Sequence, residues 1–180
     1  PILAAQYYAE AGTHSTAYYG QLAIAQISGD EAILAFEGDP EPSDETRIRF
    51  ENRSMVQAMR RLGEQGEDYY FRLFSYRADD RLTDPEEAVL LAALANEYLY
   101  VRQSVRAAKA ARQRGIVLPQ SAYPTIDLPE ETSGDQPNPE VVHSVIRQET
   151  EFSQHAVSGA GARGMMQMMP ATARQTARSI

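Results

Sequence analysis

Cysteine and tryptophan are absent from the 180 residues, and lysine occurs once, at Lys109. Without cysteine there is no disulfide framework and no thiolate metal site, a composition that suits an oxidising compartment. Basic residues are missing before Arg47 and acidic ones after Glu151, and the formal net charge of −8 argues against general nucleic-acid binding. No apolar run approaches the ~18 residues that would span a bilayer. His14, His143 and His155 are dispersed and lack the two-histidine spacing of a helical zinc site, so no metal is expected. His143 is expected on the surface of its helix. No nucleophile-elbow motif supports a Ser-His-Asp mechanism. Gly159, Gly161 and Gly164 imitate a dinucleotide fingerprint, but no strand precedes them and no acid follows to hold a ribose. No Lys-Ser or Lys-Thr pair closes that run, which excludes a phosphate loop. No cofactor is expected.

What remains is helical. Hydrophobic content of 43% and charged content of 23% are ordinary for a globular chain. Ile2–Ala11 and Ser15–Ile27 read as two helices, and the pairs Tyr7-Tyr8 and Tyr18-Tyr19 should each turn one ring towards a core. Gly38–Ser43 is a turn-rich linker. Ser43 or Asp44 caps a helix expected to run to about Leu62, with Ile48, Met55, Met59 and Leu62 among its apolar positions. Gly63 and Gly66 punctuate, and Tyr69–Tyr76 continues with Phe71 and Phe74 inside. Asp84-Pro85-Glu86-Glu87 is a strong helix start, and the pattern persists to about Arg114, broken near Tyr98–Val101 and stopped by Gly115. Arg102, Arg106, Lys109, Arg112 and Arg114 line up without an acid between them. They suit an anionic-polymer surface or, as the favoured reading, complement the helix dipole and the acidic N-terminal region. Residues 116–137 form a proline-rich connector that includes the acidic run Glu130–Asp135.

The stretch from Val141 to Ala173 carries the chemistry. Asn138, Pro139 and Glu140 start a helix, and Val141, Val142, Val145, Ile146 and Phe152 recur on it at helical spacing. Glu149 falls on that stripe. Two readings stay open: the helix ends near Gln148 and Glu149 faces water, or Glu149 is a desolvated carboxyl able to give up a proton. The small-residue turn Ser158–Gly164 lets backbone approach a ligand closely. Gln167 then stands as a lone amide among Met165, Met166, Met168 and Met169, where a sugar hydroxyl or amide would satisfy it. Pro170 starts a second helix.

Ile146-Arg147-Gln148-Glu149-Thr150, Ser158 with Gly161-Ala162 and Gly164-Met165-Met166-Gln167, and Met169-Pro170-Ala171-Thr172-Ala173 together resemble the catalytic domain of soluble lytic murein transglycosylases. Thr150 stands where that family usually has Ser, and Met165 where it usually has Leu. Tyr18–Ala23 is similar to a segment of the helical superstructure preceding that domain, and Ala122-Tyr123-Pro124 to a motif at its entry.

The resemblance implies an all-α chain: an α-superhelical helix-hairpin region over 1–115, the connector over 116–137, and over 138–180 the N-terminal part of a lysozyme-like domain. It implies Glu149 as the catalytic acid and base, with Ser158, Gln167 and Met169 at the glycan. It also implies peptidoglycan strands as partner, possible cell-wall protein partners, and a periplasmic location. Pro1 and Ile180 are expected to be the ends of a piece of a longer parent, inactive alone. The alternative from another class is a non-catalytic helical scaffold for a protein or glycan partner.

Overall fold

The computed structural model describes residues 2–29, 38–129 and 137–178. The acidic run Glu130–Asp135 of the connector lies outside them. The described residues form ten helices and no named strand, so the chain is all-α. It divides into two compact units, Pro1–Glu37 and Gly38–Ile180.

The first unit is a hairpin of α1 (Ile2–Gly12) and α2 (Tyr18–Ser28). The second helix starts three residues later than Ser15, because His14–Ala17 is spent on turns. Gly20 sits where the helices meet: a Cβ there would lie 2.0 Å from the His14 carbonyl oxygen. The expectation that one ring of each tyrosine pair is buried fails, since Tyr7, Tyr8, Tyr18 and Tyr19 are all exposed. Two helices enclose too little volume to cover four rings; only Gly20 and Ala23 are buried among the described residues of α2.

The second unit begins with α3 (Asp44–Glu51) and α4 (Ser54–Glu64), two helices where the sequence suggested one. The break at Asn52-Arg53 lets Arg53 reach Glu87, and it turns Ile48 outward, 63% exposed. Then follow α5 (Asp68–Asp79), α6 (Pro85–Glu97), α7 (Val101–Gln113) and the single turn α8 (Pro119–Ala122). Phe50, Val56, Met59, Phe71, Leu91 and Leu94 form the main core, whereas Phe74 faces outward against expectation. Gly63 is not punctuation. It lies within α4, and a Cβ there would meet the Tyr98 ring at 2.5 Å, so the missing side chain admits that ring.

Ion pairs stitch the starts of the helices together. Ser43 caps α3, and its N–H and hydroxyl donate to Glu86 of α6 at 3.0 and 2.8 Å. Glu87 is 2% exposed and accepts a two-pronged bond from Arg53, both arms at 2.9 Å. On α7, Arg106 lies 4.5 Å over the Tyr76 ring and Arg114 donates to the Asp79 carbonyl at 2.5 Å. Lys109 pairs with Glu151.

The connector is less irregular than its prolines suggest. It contains α8, buries Leu118 against Ala108 and Ala111 of α7, and tucks Ile126 and Leu128 against a satellite core. That satellite core (Val105, Ile146, Phe152) seats α9 (Pro139–Thr150) on α7. The last described helix is α10 (Pro170–Thr176).

Candidate functional site

Helix α9 presents two apolar edges with different fates. Val142, Ile146 and Thr150, four residues apart, face inward. Val141, Val145 and Glu149, on the neighbouring line, are exposed. The stripe read from the sequence thus splits, and Glu149 falls on its outer half. Of the two readings left open, the one in which Glu149 faces water fits its exposure. The helix nevertheless runs two residues beyond Gln148, to Thr150, so Glu149 sits on its last turn.

Three contacts fix that turn in place. Arg147 donates to the Ala122 carbonyl at 2.7 Å and lies 4.1 Å over the Tyr123 ring, anchoring α9 on the connector. His143, expected at the surface, is half-buried and bridges Pro139 O through Nδ1 (2.7 Å) and the Ile126 backbone through Nε2. Nε2 stands 3.1 Å from the Ile126 N–H and 3.0 Å from the Ile126 carbonyl oxygen, so the ring is held against that backbone whichever nitrogen carries the hydrogen. Thr150, 8% exposed, donates its hydroxyl to the Met165 carbonyl at 2.8 Å. Threonine therefore keeps the bond that a serine could make here, and it ties the helix end to the turn.

Beyond Thr150 the backbone leaves the helix abruptly: Glu151 and Phe152 take φ of 53° and 66°. Two consecutive non-glycine residues in the left-handed region are uncommon. They are held by Phe152 in the satellite core and Glu151 in its pair with Lys109. The reversal takes Glu151 out of helical register altogether, where a continued helix would have turned it about 200° from Glu149.

The segment 156–168 is a knot of tight turns. Gly161 and Gly164 have φ of 88° and 73°, which favours glycine at both. Ser158 closes the first turn: its N–H donates to the Ala162 carbonyl at 2.9 Å, and its Oγ accepts from Ala162 N–H at 3.0 Å. Arg163 and Met168 exchange backbone bonds at 3.0 and 3.1 Å. The Gln167 amide donates to the carbonyls of Gly164 (2.9 Å) and Ala156 (3.3 Å). That spends both of its hydrogens and leaves Oε1 with no partner among the described residues. Met169 is exposed and precedes Pro170 at the N-cap of α10.

A groove of about 860 Å³ brings Glu149 and Gln167 onto one surface, together with Thr150, Phe152 and Met165. Ser158 and Met169 do not line it. The sequence reading missed its other wall, made by Asp68 and Arg72 of α5 and by Tyr98–Gln103 at the α6–α7 corner. The only sequence signal there was the helix break near Tyr98–Val101, which marks the corner without saying what it faces. Among the described residues no group of His, Cys, Asp or Glu could hold a metal ion. No described helix is long and apolar enough to cross a membrane.

No curated protein gives a significant match to the chain. Residues 129–180 match the family described as Transglycosylase SLT domain, in agreement with the resemblance carried by the motifs around Glu149, Ser158–Gln167 and Met169–Ala173.

Proposed function

We propose that the chain carries part of a lytic transglycosylase that cleaves the β-1,4 bond between N-acetylmuramic acid and N-acetylglucosamine in peptidoglycan. The domain match points to transglycosylase chemistry on that polymer. The observation that carries the finer reading is the placement of Glu149, on the last turn of α9, in the same groove as Gln167. Protonated Glu149 donates to the glycosidic oxygen as the bond to C1 breaks. The resulting carboxylate takes the proton from the muramyl C6 hydroxyl, whose oxygen bonds to C1 and closes a 1,6-anhydro ring. Glu149 ends protonated, ready for the next cycle, and an intramolecular nucleophile replaces water.

Glu151 is removed from this chemistry by its backbone reversal and its pair with Lys109. Gln167 Oε1 offers an acceptor to a sugar hydroxyl or N–H. Ser158 acts on the site through the turn it closes, and Met169 through the exposed edge before α10. The substrate places the reaction in the periplasm, with other cell-wall proteins as possible neighbours. Glu149 is open to water in the chain alone, and a seated glycan would exclude that water. The 180-residue chain by itself is accordingly proposed to be a poor catalyst.

The test is release of anhydro-muropeptides from purified cell wall, read by mass spectrometry, for a longer protein that contains these 180 residues and for its Glu149→Gln variant. A loss of about 10²-fold or more is expected for removal of a general acid. Near-normal release by the variant overturns the assignment. Reducing ends in place of anhydro ends would make the enzyme a hydrolase with Asp68, the acid on the opposite wall, as candidate base.

A second reading is the non-catalytic scaffold, and the exposure of Glu149 favours it. Burying a carboxyl would have been a cost that a scaffold has no reason to bear, and that cost is absent here. Binding of glycan strands with no bond cleavage at any enzyme concentration would support it.

A further inference from the structure

We infer that Lys109 of α7 is a positioning residue for Glu149, acting through its ion pair with Glu151. The inference rests on the transglycosylase reading above. It adds to that reading a residue of the helical region, outside the matched residues 129–180.

The chain reverses directly after Thr150, and the reversal shapes the groove in two ways. It ends α9 with Glu149 on the last turn. It also sends Ser153–Val157 into the groove wall, where a continued helix would have carried them on along its axis. The reversal is built on Glu151 and Phe152, both left-handed and neither glycine. Such a conformation persists only where the surroundings hold it. Both holds come from α7, from residues one turn apart. Val105 shares a buried cluster with Phe152, and Lys109, four residues on, pairs with Glu151.

An ion pair between exposed side chains ordinarily contributes little. This one differs in where it acts. The Glu151 side chain is only 19% exposed and sits at the C-cap of α9, where a left-handed residue is commonly glycine. Lys109 borders a depression that Asp79 and Asp80 also line, yet its ammonium goes to Glu151. The carboxylate has a task that glycine would not need: it ties an unfavourable backbone conformation to a helix of the scaffold. Without the pair the reversal relaxes, and the last turn of α9 shifts relative to the wall at 153–157. Glycan binding, spread over the whole groove, changes little. Proton transfer depends on where one carboxyl stands, and it suffers.

The experiment is steady-state release of anhydro-muropeptides by a longer protein that contains these 180 residues. Lys109→Met and Glu151→Gln should each lower kcat by about tenfold and leave KM within about twofold. That scale lies between the small worth of an exposed pair and the ~10²-fold cost of a ~1 Å displacement. Lys109 is exposed, so its replacement leaves the fold intact. Lys109→Arg keeps the charge and should retain most of the activity. Glu151→Gly should retain most of it too, because glycine holds a left-handed turn without a partner. Adding Lys109→Met to Glu151→Gly should then cost nothing further. Full kcat in Lys109→Met overturns the inference while the enzymatic reading stands. A raised KM at unchanged kcat makes the pair a glycan contact and overturns positioning. Equal losses in Glu151→Gly and Glu151→Gln would show that the charge, not the turn, serves the reaction, which also overturns it. A parent that releases no anhydro product fails the transglycosylase reading, and the inference falls with it.

Discussion

The helices α3–α8 and the segment from α9 onward are built on opposite plans. In the first, large apolar side chains are fully enclosed: Phe50, Met59, Phe71, Leu82, Leu91 and Leu94 are each at most 2% exposed. In the second, Ile146, Phe152 and Ala162 are the buried apolar residues among those described, while Val141, Val145, Met166, Met168 and Met169 face outward. The helical region is held by burial; the α9 segment by single hydrogen bonds and left-handed turns. The candidate groove lies where the two meet. A rigid wall thereby faces one whose backbone positions depend on a few polar contacts, a division expected when function sits on loops carried by a scaffold.

The sharpest way to break the comparison is to attack the helical region through its buried charge. Arg53→Met leaves Glu87, 2% exposed, with only the longer 3.4 Å contact to Arg49. An uncompensated buried carboxylate costs about 3 kcal/mol or more, so the midpoint of urea unfolding should fall substantially. A variant within about 0.5 kcal/mol of the parent, the range of ordinary surface changes, would show that burial alone holds the helices.

A smaller effect with a definite pH window comes from Asp79. Burial pushes its carboxyl up to about 6, against the opposing pull of Arg106 and Arg114 and with some help from Asp80. The folded state thus holds a proton that the unfolded chain releases near pH 4. Its destabilising contribution is absent below pH 4, grows as pH rises towards 6, and is complete above that. Asp79→Asn should therefore stabilise the protein by about 2 kcal/mol at pH 7.5 and by little at pH 4. Thermal unfolding at the two pH values measures it; equal shifts at both would mean that the carboxyl is ionised in the fold throughout.

These contrasts also explain what could be read from the chain. Helix starts with a local chemical cause were legible: Asp84-Pro85 opens α6, and Pro139 and Pro170 open α9 and α10 where expected. The motif around Glu149 was legible because backbone reversals and tight turns demand particular residues at Gly161 and Gly164. Facing was not. Val141 and Val142 are the same residue type, yet one is exposed and the other packs on α7, a choice made by the partner surface rather than by periodicity. The same holds for Gly63, whose reason is a tyrosine ring from the next hairpin, and for Gln103, whose groove is assembled from four separated stretches of chain.

The smallest expected effect is the most discriminating. Thr150→Val preserves the β-branched shape in a site that is 8% exposed, and it deletes only the hydroxyl that reaches the Met165 carbonyl. An orphaned carbonyl at that depth costs about 1 kcal/mol, near the lower end of the range for an unsatisfied group. If the two regions are as separate as their construction suggests, this cost should fall on the turns alone. Amide hydrogen exchange should quicken at Gly164, Gln167 and Met168, whose N–H groups close the turns around Met165. Protection in α6 and α7 should stay unchanged, because their interior does not use the hydroxyl. Anhydro-product release should fall by about fivefold, the rate equivalent of that energy if it is felt at Gln167. Faster exchange spreading into α7 would instead show that the Val105–Ile146–Phe152 cluster couples the groove's two walls into one cooperative unit.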